Sequence, residues 1–68
     1  MYIDISVNGE TKQVPTGQTV AALVNELALA DRRIAVEVNQ EIVPRSEHSR
    51  FQLKNDDRVE VVQAIGGG

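Results

Sequence analysis

The chain has no cysteine in its 68 residues, which removes disulfide scaffolding, thiolate zinc sites, iron–sulfur ligation and thiol nucleophiles together. One histidine, His48, is too few for a histidine pair or a His-rich metal site. Carboxylates acting alone would need the spaced ligands and closing Glu of a calcium loop, and Asp56-Asp57 has neither, so no metal site is expected. Aromatics are limited to Tyr2 and Phe51, and seven basic against ten acidic residues leave a net charge of −3. A nucleic-acid binder calls for a basic face, usually with stacking aromatics, so nucleic acid is excluded as a primary partner. Met1-Tyr2-Ile3-Asp4 has no basic start followed by an apolar stretch, and no window approaches the ~20 apolar residues of a membrane span. The expectation is a soluble, cytoplasmic chain with no membrane partner.

Domains usually take ~100–200 residues, so this length allows one small domain and leaves no room for a second, catalytic one. Its apolar content is weighted toward β-branched side chains, with fifteen Val or Ile against four Leu. Such side chains suit strands. Three of the leucines, Leu23, Leu27 and Leu29, fall in one short window, where a single helix is expected.

Ile3, Ile5 and Val7 alternate with Asp4 and Ser6, the period of a strand with one buried face. Asn8-Gly9 then marks a tight hairpin turn. The polar return strand, Glu10 to Val14, fits a sheet edge, and Pro15-Thr16-Gly17 ends it. Val20, Leu23, Val24 and Leu27 form one helical stripe with Thr19 as the cap, predicting a helix over about 20–29. Ile34, Val36 and Val38 mark a third strand, Asn39-Gln40 a turn, and Ile42-Val43 a short fourth strand stopped by Pro44. Arg45 to Arg50 reads as a polar turn, with Phe51 and Leu53 as plugs fixing the long connection to the core. Asn55-Asp56-Asp57 leads to a last strand, Arg58 to Ile65.

The pattern supports an α+β fold with a mixed sheet of four to five strands and one helix on one face. The last strand, the most apolar, wants the middle, and a parallel pairing with the first strand uses the helix as its crossover. The β-grasp (ubiquitin-like) arrangement meets both conditions among the small α+β topologies. Residues 1–65 are expected to form that domain, with 66–68 as a flexible glycine tail.

Ser46-Glu47-His48-Ser49 puts the residue types of a hydrolytic triad close in sequence. A triad has to converge around a pocket and an oxyanion hole, whereas neighbours in one short turn diverge, so a solvated surface turn is the better reading. One helix on one sheet also leaves little volume for a pocket of ~300 Å³. No catalytic site made from side chains is expected.

Gly66, Gly67 and Gly68 are different. Without Cβ atoms they can lie extended in a narrow channel, and three residues reach about 10 Å. The terminal carboxylate, with a reference pKa of ~3.3–3.7, is ionised at neutral pH. It can attack an activated phosphorus, and as an acyl adenylate it becomes an electrophile. A glycine run at a chain end is equally what an idle terminus or a fusion scar looks like. In the last strand Val62 and Ala64 share a parity with Arg58 and Glu60. If Val59, Val61 and Ile65 face the helix, Val62 and Ala64 are apolar groups on the outer face, available for docking or else covered by Arg45 or a neighbouring strand.

The whole chain resembles the bacterial ThiS family of sulfur carriers of thiamin (thiazole) biosynthesis. The resemblance rests on the Asn8-Gly9 hairpin, Gly17-Gln18-Thr19-Val20, the run Val38-Asn39-Gln40-Glu41-Ile42-Val43-Pro44-Arg45-Ser46-Glu47, and the glycine end. It departs from the family pattern in having His48 where an aromatic is expected, and three terminal glycines where two are usual. The resemblance implies that a ThiF-like enzyme, using ATP and magnesium that this chain does not itself bind, adenylates Gly68. Sulfur from a cysteine desulfurase persulfide then gives a terminal thiocarboxylate for a ThiG-like thiazole synthase. Gly66 and Gly67 would give access, and Val62, Ala64 and Ile65 would dock; the chain would be a co-substrate rather than an enzyme. A MoaD-like carrier for molybdopterin synthesis, a ubiquitin-like modifier and an interaction module with an idle tail are the alternatives.

Overall fold

A computed structural model describes residues 1–63; Ala64, Ile65 and the three terminal glycines lie outside the described residues. Those 63 residues form strands β1 (Tyr2–Val7) and β2 (Glu10–Pro15), helix α1 (Val20–Glu26), strands β3 (Ile34–Val38) and β4 (Glu41–Val43), and strand β5 (Arg58–Gln63). A single 3-10 turn, Arg45–Glu47, interrupts the connection before β5. The sheet order is β2-β1-β5-β3-β4, with β1 and β5 parallel and the other neighbours antiparallel. The last strand therefore takes the middle beside the first, as its apolar content required, and polar β2 takes an edge.

Both hairpins turn on two residues in the left-handed region. Asn8 and Gly9 have φ of 50° and 86°, and Asn39 and Gln40 have φ of 54° and 70°. Successive positive φ values match the turn to the natural twist of the strands it joins. The turns thereby set the registers Val7↔Glu10 and Val38↔Glu41, and a period of two carries each register along its strands. Ile5, Val14, Val36, Val38, Val43, Val59 and Val61 consequently point to one side of the sheet, where they bury against Val20, Leu23 and Val24 of α1.

Helix α1 begins with its free amides satisfied. The Ala22 amide donates to Thr19 Oγ1 at 3.1 Å, while Val20 and Ala21 donate to the carbonyls of Phe51 and His48 at 2.9 and 2.8 Å. These bonds also fasten the long connection to the helix. The helix ends at Glu26, three residues before the predicted end, because Ala28 takes a φ of 62°. Amides of Ala28 and Leu29 then bond back to Asn25 and Val24, each at 3.0 Å, the paired bonds that close a helix around one left-handed residue. Glycine usually fills that position. With alanine there, the helical stripe of Leu27 and Leu29 runs on past the stop, and both residues still pack against the core.

The connection to β5 corrects two expectations. Leu53 is buried at 3% exposure, as expected, but Phe51 is 36% exposed and contributes its carbonyl rather than its ring. The plug is His48, 8% exposed, with its Nε2 3.0 Å from the Val43 carbonyl oxygen. What reads in sequence as a solvated turn thus buries its central side chain. Asp57 is also buried. It accepts bonds from the Lys54 amide at 2.7 Å and Asn39 Nδ2 at 3.0 Å, closing the turn into β5.

Candidate functional site

Everything the fold does to β5 bears on the chain that follows it. Asn39 holds the start of the strand: its amide donates to the Arg58 carbonyl at 2.8 Å, and its Oδ1 accepts from the Arg58 amide at 3.0 Å. From the other side the β1 turn holds the strand further along. The Asn8 amide donates to the Val59 carbonyl at 2.9 Å, and the Asn8 side chain bonds both the amide and the carbonyl of Val61. Strand β3 pairs with β5 out to Ile34↔Gln63. The central strand is therefore fixed from both edges nearly to its described end.

Alternation along β5 resolves which face carries Val62. Val59 and Val61 are buried toward α1, and Arg58, Glu60 and Val62 lie on the outer face. Val62 is 56% exposed, and Arg45 directs its guanidinium to the Arg32 carbonyl at 3.2 Å. Neither Arg45 nor a neighbouring strand covers it. Opposite Val62 stands exposed Ala35, and the adjacent row runs Glu60, Glu37, Ile42 across β5, β3 and β4. Ile42 is 62% exposed. Ala35 and Ile42 thus join Val62 on one bare face, an extension missed when β5 is read alone. The two-residue Asn39-Gln40 turn carries the signal that finds it, because the register it sets places Ile42 on the outer face.

Ala64, Ile65, Gly66, Gly67 and Gly68, the remaining site residues expected from sequence, lie outside the described residues. The triad-like run is dispersed. His48 is buried against Val43, Glu47 pairs with Arg50 at 2.7 Å, and Ser46 and Ser49 face outward. Surface grooves are larger than the domain's size suggested. One of about 450 Å³ is lined by Asn39, Arg50, Phe51, Gln52, Lys54 and Asp57, and one of about 520 Å³ lies between the β1–β2 turn and the end of α1. Both are open to the surface, and neither is lined by a serine or by His48. Among the described residues no helix is long and apolar enough to cross a membrane.

A hairpin, a crossover helix on one face and a last strand lying parallel to the first in the middle of the sheet define a ubiquitin-like β-grasp protein. The crystal structure of a thiamine biosynthesis protein (ThiS) from Geobacter metallireducens matches it with a TM-score of 0.84 at 29% identity, covering 97% of this chain and all of that one. The ThiS family profile matches residues 5–68, and the sulfur carrier protein ThiS of Escherichia coli is 32% identical over 66 residues, covering 97% of this chain and 100% of its own length. The chain belongs to the ThiS family of sulfur carrier proteins. It also resembles part of two thiazole synthases, from Paramagnetospirillum magneticum (42% identical over 62 residues, 91% of this chain) and Magnetococcus marinus (39% over 64 residues, 94% of this chain). It spans only 19% and 20% of those two proteins.

Proposed function

We propose that the chain carries sulfur for the thiazole ring of thiamin as a thiocarboxylate on Gly68, with residues 1–65 as the folded body and 66–68 as the tail that a partner's active site receives. The observation that carries this reading is the family match running through Gly66, Gly67 and Gly68 in a chain with no cysteine. A chain without thiols has no persulfide of its own, so the terminal carboxyl is the group left to hold sulfur.

The chemistry follows from that carboxylate. Within an adenylating enzyme supplying ATP and magnesium, a carboxylate oxygen of Gly68 attacks the α-phosphorus and pyrophosphate leaves. The terminal sulfur of a cysteine desulfurase persulfide then attacks the acyl carbon and AMP departs with that oxygen. A further thiolate then attacks the desulfurase cysteine sulfur of the resulting acyl disulfide, forming a mixed disulfide with it and releasing the thiocarboxylate as the leaving group. Gly66 and Gly67 present no Cβ to a narrow channel. The bare sheet face of Val62, Ala35 and Ile42, with Ala64 and Ile65 following, is the docking surface; an exposed apolar patch next to a reactive end suits recognition by several enzymes in turn. We read the chain as cytoplasmic, a compartment that supplies the ATP this activation consumes.

Thiazole synthase as the acceptor is supported by the two relatives of that name in which a segment like this chain makes up about a fifth of the length. Joining two partners in one polypeptide raises their effective concentration to the millimolar range without any new contact. Deleting Gly67 and Gly68 together, or adding one residue after Gly68, is expected to leave folding intact and abolish pyrophosphate release by the adenylating enzyme. Undiminished release from either variant would overturn the reading.

A further inference from the structure

We propose that Asn8 is a positioning residue for the reactive C-terminus, acting through its carboxamide, which fixes the β5 peptide at Val61. The proposal rests on the carrier reading and deepens it. Strand β1 ends at Val7, paired with Val59, and the main chain then turns away through Asn8-Gly9. Its ladder with β5 would stop there. The Asn8 side chain continues it: Oδ1 accepts from the Val61 amide at 2.9 Å, and Nδ2 donates to the Val61 carbonyl at 3.2 Å. A carboxamide carries the same donor and acceptor as a peptide, so one side chain supplies the pairing that the departing backbone gives up.

The consequence lies at Val61. With β3 paired on the opposite edge through Gln63, among the described residues the β5 backbone is held from both sides as far as the Asn8 clamp reaches, and that point is two residues before Gln63. A chain end that must place its last atom at a reactive centre pays an ordering cost when it docks, and each rotatable segment already held in place lowers it. Asn8 does not approach the carboxyl group; it acts through Val61.

A turn residue with φ of 50° is itself a reason to find Asn at this position, so the test separates turn from clamp. Asn8→Gly keeps the positive φ and removes both side-chain bonds. Asn8→Asp keeps the acceptor for the Val61 amide and sets a carboxylate oxygen against the Val61 carbonyl. Full-length wild type and both variants are compared at a temperature where all are folded, by amide hydrogen exchange at Val61 and by kcat and KM for pyrophosphate release with the adenylating enzyme, ATP and magnesium. The expected result is faster Val61 exchange in Asn8→Gly, normal Val61 exchange in Asn8→Asp, and kcat lowered about fivefold in both, as the loss of a hydrogen bond would give. Normal kcat in both variants, beside an active wild type, overturns the positioning role alone. No release from the wild type overturns the carrier reading and the positioning role with it.

Discussion

The imidazole of His48 lies with Nε2 3.0 Å from the carbonyl oxygen of Val43, joining the polar connection to the last residue of β4. The contact is buried, and the His48 backbone carbonyl simultaneously caps the Ala21 amide of α1. His48→Ala would leave a void and an unpaired carbonyl, at a cost of about 2–4 kcal/mol. A domain of this size has a total stability of only about 3–10 kcal/mol, so the loss is a large share. His48→Phe, which fills the space but not the hydrogen bond, should lose less, about 1–2 kcal/mol. Urea denaturation of the three proteins measures both; equal stability of His48→Ala and wild type would contradict the assignment of His48 as the plug.

Ala28 offers the opposite change. Its φ of 62° is a conformation in which an L side chain is strained, and the two bonds that close α1 require it. Ala28→Gly is expected to stabilise the protein by about 0.5–1 kcal/mol, the relief of strain outweighing the extra freedom of the unfolded chain. A higher midpoint in thermal unfolding is the readout, and a lowered midpoint counts against the strain.

Asp57 closes the turn into β5 by accepting from Lys54 and Asn39. Asp57→Ala removes both acceptors from a buried position and is expected to cost about 2–3 kcal/mol. Exchange of the Lys54 amide should accelerate in the same variant, and continued protection of that amide would show that another group takes over the cap.

The outer sheet face allows a prediction in which stability and binding part company. Val62 and Ile42 are more than half exposed, so Val62→Arg and Ile42→Arg should leave the thermal midpoint almost unchanged. If they are central apolar contacts of the proposed docking surface, each substitution should weaken binding to the adenylating enzyme about tenfold or more. Titration calorimetry with folded variants checks this, and unchanged affinity in both places the docking surface elsewhere.

These cases also mark what the sequence makes legible. Strands β1, β3 and β5 show an alternating pattern and both hairpin turns declare themselves by residues that tolerate positive φ, so the mixed sheet, the middle place of β5 beside β1 and the edge place of β2 follow from pattern, whereas the β3–β5 pairing and the bare outer position of Val62 emerge only from the three-dimensional fold. The stop of α1 at Glu26 does not, because alanine occupies the position where glycine would signal the end. The burial of His48 does not, because its neighbours Glu47 and Ser49 are polar and the pocket it fills is made by β4 and the helix start. The Asn8 clamp is hidden for another reason: its partner, Val61, is 53 residues away, and local pattern accounts for Asn8 fully as a turn residue.

The central claim is that Gly68 carries the sulfur, and intact-mass spectrometry tests it most directly. The full chain is incubated with ATP, magnesium, the adenylating enzyme, a cysteine desulfurase with cysteine, and a thiol reductant, beside a ThiS protein known to be converted by the same enzymes. The predicted result is a mass shift equal to one oxygen replaced by sulfur, located by fragmentation to Gly68. An unchanged mass while the control carrier is converted would contradict the account.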